Sequence, residues 1–150
     1  MNEKASANTA LYKADLHEWA LQTADLVREG RIEEVDTEIL WDEINSMAGR
    51  DERELYSRLT VLSHHLLKYR YQPQYRSRSW RSTIATQRRE LRRVLRRSPG
   101  LKPEAKVAFL ETYPDARLDA LDETGLNPRD IPVEPPFTFE QVLFEDYLPD

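Results

Sequence analysis

Between Lys68 and Arg97 eleven basic side chains stand against a single acid, Glu90. The window opens with Lys68-Tyr69-Arg70-Tyr71-Gln72-Pro73-Gln74-Tyr75-Arg76-Ser77-Arg78-Ser79-Trp80-Arg81, in which aromatic rings alternate with cations. Such rings can stack on bases while guanidinium groups fork onto phosphates. Ser79, near a helix start, adds backbone N–H donors for an anion. Arg76, Arg78, Trp80 and Arg81, with Arg88 and Arg92 on the following helix, are therefore the candidates for an anion or nucleic-acid site. The competing reading puts the tyrosines and Trp80 in a corner between two helices, where aromatic residues dominate cores, with the arginines paired to nearby carboxylates.

Other reactive side chains form weaker patterns. His64 and His65 are adjacent, so on a helix they point about 100° apart and cannot share one metal. His65 falls at the edge of a leucine stripe beside Val61 and Tyr69. It reads as a hydrogen-bonded, half-buried histidine, with a metal-ligand or general-base role as the alternative. Asp42-Glu43 lies in an acidic run with Glu33, Glu34, Asp36 and Glu38 that reads as a solvated face, with a two-carboxylate metal site as the alternative. There is no cysteine, hence no disulfide framework, thiolate zinc site or thiol nucleophile. No Gly-rich phosphate loop, His-Glu-x-x-His or Gly-x-Ser-x-Gly occurs. No catalytic constellation is recognisable, and no cofactor is implied.

The elements that must position these residues are helical. Residues 1–11 read as a flexible N-terminus and 12–150 as one helical domain. A first helix is expected from about Tyr12 to Arg28, with Leu16, Trp19, Ala20, Thr23, Leu26 and Val27 as its stripe and Gly30 just past its end. Asp36 is the expected N-cap of the next. There Leu40, Ile44 and Met47 begin an apolar phase that continues through Leu55, Leu59, Leu62, Leu66 and Tyr69. One long helix over 37–71 is favoured, bent near Gly49 and stopped by Pro73.

A strongly amphipathic helix is expected over about 80–97, with Trp80, Ile84, Leu91, Val94 and Leu95 inward and seven arginines outward. Ser98-Pro99 reads as a cap and first turn of a further helix to about Thr124, kinked or restarted at Pro114 and ended by Gly125. Residues 126–137 are a proline-rich connection expected to lie extended on the surface. Thr138 and Gln141 form a capping box, with Phe137 and Val142 as its staple, for a short helix through Tyr147. The fold class is all-α: about four main helices and a short terminal one.

Several strings in this chain are familiar together: Tyr12-Lys13-Ala14-Asp15-Leu16 with Trp19-Ala20, Leu26-Val27-Arg28-Glu29-Gly30-Arg31, Asp42-Glu43-Ile44, and Met47-Ala48-Gly49-Arg50. His65 to Pro73, Arg78-Ser79-Trp80-Arg81, Gln87-Arg88-Arg89, Asp115-Ala116-Arg117 and Glu123-Thr124-Gly125-Leu126 complete the set. The chain beyond Met1–Ala10 resembles family twenty-nine of the bacterial domains of unknown function. The resemblance implies a bacterial, mostly helical, single-domain protein, and brings no reaction, ligand or catalytic residue.

Outside 68–97 the chain carries eleven bases and twenty-six acids. Charge separated to this degree serves internal pairing or an anionic partner. The expectation is a cytoplasmic binding or adaptor protein acting through charged helical surfaces, with a protein partner or a second copy of itself. The alternative is a nucleic-acid-associated protein using 68–97. No apolar run approaches the roughly 20 residues needed to cross a bilayer, so no membrane partner is expected.

Overall fold

The computed structural model describes residues 3–150 and is all-α, with no strand among them. Six α-helices follow in order: α1 (Ser6–Ala14), α2 (Leu16–Arg28), α3 (Thr37–Tyr71), α4 (Arg78–Arg97), α5 (Lys102–Thr124) and α6 (Phe139–Leu143). The four long helices and the short terminal one match the sequence pattern. The chain clusters into two compact units, one up to Gly49 and one from Arg50. No helix among the described residues is long and apolar enough to cross a membrane.

In the first unit the helix expected over 12–28 is replaced by two. Asp15 stands between them in extended conformation, and its carboxylate accepts the Glu18 N–H at 3.0 Å, capping α2. Of the residues expected to be flexible, Met1 and Asn2 lie outside the described residues. Glu3–Ala5 form a 3-10 turn and α1 begins at Ser6, with Ala5 and Asn8 buried.

The centre of this unit sets a polar network among the buried Ala5, Trp19, Leu26 and Val35. The Asn8 carboxamide accepts from Trp19 Nε1 at 3.2 Å and from the Asp36 N–H at 2.9 Å, and donates to Thr23 Oγ1 at 2.9 Å. Tyr12 and Trp19 meet edge to face at 5.0 Å. Because α1 is only nine residues long, it covers a narrow strip of α2. Trp19, Thr23 and Leu26 are buried, whereas Leu16, Ala20 and Val27 of the expected stripe are exposed. Gly30 takes the left-handed conformation (φ 73°) expected past the end of α2. Asp36 caps α3, accepting the Ile39 N–H at 3.2 Å.

In the second unit, Leu55, Leu59, Leu62, Leu66 and Leu67 of α3 are fully buried against Ile84 and Leu91 of α4 and Ala105, Ala108, Phe109, Tyr113 and Ala120 of α5. Each leucine contributes roughly 1.5–3 kcal/mol by burial. An exposed ion pair contributes under about 1 kcal/mol, so the leucine ladder and not the abundant charge holds this unit together. Helix α3 is one element, as favoured, with Gly49 inside it.

Helix α5 runs through Pro114 without the expected restart. Ser98 does not cap it: the Ser98 hydroxyl donates to Asp51, and Pro99–Leu101 form a separate 3-10 turn. The 126–137 connection is not simply laid on the surface. Ile131 and Phe137 are buried, the Tyr113 hydroxyl donates to the Pro132 carbonyl at 2.6 Å, and Arg117 donates to the carbonyls of Ile131 and Pro128. The capping box of Thr138 and Gln141 is present and its staple residues are buried, but α6 ends at Leu143, short of Tyr147.

Candidate anion-binding face

The sequence candidates separate into a structural set and an open set. Helix α4 starts two residues earlier than expected because Ser77, with β-region dihedrals, accepts the Trp80 N–H at 3.1 Å as its N-cap. The residues just before it are used internally. Arg76 donates through Nε to the Tyr69 carbonyl at 2.6 Å and through Nη2 to the Pro149 carbonyl at 3.3 Å. Its guanidinium also stacks 4.4 Å from the Tyr69 ring centroid.

Trp80 is half-buried beneath Lys68, whose Nζ is 4.7 Å from the ring centroid. Tyr69 is buried. The alternating rings therefore do not form a stacking platform; within the string only Tyr75 is left largely exposed.

Arg88 also belongs to the interior, at 1% exposure. Its guanidinium donates to the carbonyls of Val142 (2.8 Å), Gln141 (3.2 Å) and Glu145 (3.3 Å). Gln141 and Val142 are in the last turn of α6 and Glu145 lies two residues beyond it; carbonyls past a helix end are short of helical partners and favour a cation. Burial holds the Arg88 pKa below its ordinary value, and repulsion from Arg92 acts in the same direction.

One flank of α4 is neutralised by the unit's own acids. Arg97 contacts Asp51 at 2.6 Å and Glu54 at 3.3 Å, and Arg93 contacts Glu90 at 3.5 Å. Asp51 is held below the usual carboxylate range, first by the Arg97 hydrogen bond and then by Ser98. The other flank is bare. Arg78, Arg81, Arg92 and Arg96 have no hydrogen bond or ion pair among the described residues. Arg89 has only a 3.4 Å hydrogen bond to Thr86. With Ala85 these five arginines recur at three- and four-residue steps, which places them on one arc of the helix along about 27 Å. A row of planar forks at this spacing suits bidentate contact with carboxylates or phosphates.

A second polar cluster joins α3 to α5. Lys68 Nζ donates to Glu123 Oε1 at 2.7 Å, and His64 Nε2 lies 2.7 Å from Glu123 Oε2. The Lys68 hydrogen bond holds Glu123 below its ordinary pKa, while burial pushes His64 down. Sequence reasoning fixed on His65, whose Nδ1 is 3.0 Å from the Val61 carbonyl, and missed His64. The four-residue step from His64 to Lys68 was the available signal; their carboxylate partner is 55 residues past Lys68 and left none. No group of three or more His, Cys, Asp or Glu residues able to hold a metal exists among the described residues.

The family model described as Domain of unknown function DUF29 matches residues 11–148. The chain belongs to this family. No curated protein and no solved structure matches it.

Proposed function

We propose that this DUF29 protein is a binding protein that docks an acidic protein surface through the bare arginine arc of α4. One contrast supports the reading: Arg93 and Arg97 have carboxylate partners, while Arg78, Arg81, Arg92 and Arg96 on the same helix have none. A cytoplasmic setting goes with this reading, since a chain without cysteine suits a reducing compartment.

Nucleic acid is the second reading, favoured by the exposed Tyr75 in the turn that leads into α4. It ranks below a protein partner because the rings that would stack on bases are taken up by Arg76 and Lys68.

The test is fluorescence anisotropy with three labelled probes at low and moderate salt: a helical Glu-rich peptide, a DNA duplex and a single-stranded RNA. The reading expects the Glu-rich peptide to bind the native chain. Replacing Arg78, Arg81, Arg92 and Arg96 by Gln should weaken it strongly, and replacing Lys102 and Lys106 should not. Preferential binding of the duplex or the RNA would transfer the assignment to nucleic acid. Failure of all three probes at low salt removes both readings.

A further inference from the structure

Helix α3 carries apolar residues at helical spacing in each of the two units. In the second unit these are Leu55, Leu59, Leu62 and Leu66, all buried. In the first unit Trp41, Ile44, Met47 and Ala48 recur at three- and four-residue steps and are exposed, with Leu40 half-buried. Trp41 is 63% exposed, Met47 58% and Ile44 57%. Helix α1 does not cover them, because it meets α3 on another side: Thr9 donates to Asp36 and Tyr12 donates to Glu43, each at 2.6 Å. An exposed tryptophan, isoleucine and methionine at helical spacing is costly in water and has the composition of an interface core.

The charge around this stripe says what would cover it. Glu38 and Asp42 are exposed on one flank of the stripe, and Glu43 stands on the other. From residue 3 to Gly49 there are eleven carboxylate side chains against four cationic ones. An apolar stripe rimmed by acids repels a second acidic stripe, which argues against pairing with the same face of another copy. It is complementary to a helix whose apolar side is flanked by lysine or arginine. The flexible, exposed Met47 thioether suits the face to partners of varied side-chain shape.

We infer that the exposed face of α3 around Trp41, Ile44 and Met47 is a docking site for a basic amphipathic helix of a partner protein. The site is distinct from the arginine arc of α4 and of opposite charge.

Trp41 supplies its own reporter, because Trp19 is buried and Trp80 half-buried. The probe is a synthetic Leu/Lys peptide about five turns long with leucines at three- and four-residue steps. Adding it to the full chain should shift tryptophan emission to the blue in a saturable way, and Trp41→Phe should remove the shift. Ile44→Ser with Met47→Ser should weaken binding more than about 10-fold at unchanged net charge. Both positions are exposed, so helicity should be retained. Glu38→Gln with Asp42→Gln should weaken binding at low salt and flatten its salt dependence.

Equal binding of a Leu/Glu peptide, or of a Leu/Lys peptide scrambled out of helical register, would overturn the proposal. So would sedimentation showing a dimer that Ile44→Ser dissociates, which would assign the face to a second copy. A shift produced by phosphatidylcholine vesicles alone would assign it to lipid.

Discussion

Arg88 Nε donates to the Val142 carbonyl at 2.8 Å across 54 residues of sequence, tying α4 to α6 through a buried cation with no carboxylate partner. Removing it leaves the Val142 and Glu145 carbonyls short of a donor, while Gln141 keeps the Phe144 N–H at 3.2 Å. Arg88→Ala is expected to cost about 3 kcal/mol or more, read as a lowered urea midpoint. Arg88→Lys should recover only part of this, since an ammonium cannot reproduce the planar fork. A destabilisation below about 1 kcal/mol would refute the role, and binding of the Glu-rich peptide to a folded Arg88→Lys chain should be unchanged.

Asn8 is the corresponding test in the first unit. Asn8→Leu removes the acceptor for Trp19 Nε1 and for the Asp36 N–H together. Leaving buried donors unpaired costs about 1–3 kcal/mol each. The expected result is a red shift of Trp19 emission in a Trp41→Phe background at urea concentrations where the parent is still native. An unmoved transition would show the network to be dispensable.

The family's helical pattern was readable because leucine spacing needs no knowledge of partners. Residues 37–71, the caps at Asp36 and Thr138, and the left-handed glycines all follow from local rules. What escaped depended on distant chain. Arg88 sits on an arginine-rich helix, and nothing local separates it from Arg92; only the carbonyls of α6 do. Arg76 and Trp80 looked like ligand residues for the same reason. Asp15 was overlooked because the apolar phase hides a cap that splits α1 from α2. The open arc of Arg78, Arg81, Arg92 and Arg96 was legible as a charged face, but its lack of internal partners was not.

Two glycine substitutions should act with opposite signs. Gly125 has φ 70° and open space where a Cβ would lie, so Gly125→Ala carries only the backbone cost, about 1–2 kcal/mol. Gly49 lies inside α3, and Gly49→Ala should stabilise by up to about 1 kcal/mol. Thermal midpoints of the two variants should fall on either side of the parent.

Acid should destabilise the protein in two stages. His64 and His65 are held below the ordinary imidazole value, mainly by burial, so the unfolded chain binds protons first. Stability is then lost as pH falls below about 6.5. Glu123, Asp51 and Asp36 are also depressed, through hydrogen bonds led by Lys68, Arg97 and Thr9 respectively. Their contribution is present above the ordinary carboxylate range and lost as pH falls through the folded values. Urea midpoints at pH 7.5, 5.5 and 4 should decrease in that order; a higher midpoint at 5.5 than at 7.5 would contradict the histidine assignment.

The Asn8 network also has a calorimetric consequence. Exposing apolar surface raises heat capacity, whereas exposing polar groups lowers it. A unit centred on a carboxamide therefore opens with a shallower temperature curvature than one centred on a leucine ladder. On cooling, the leucine-centred unit loses the larger part of its driving force, and the unit built around Asn8 is the one less sensitive to cold.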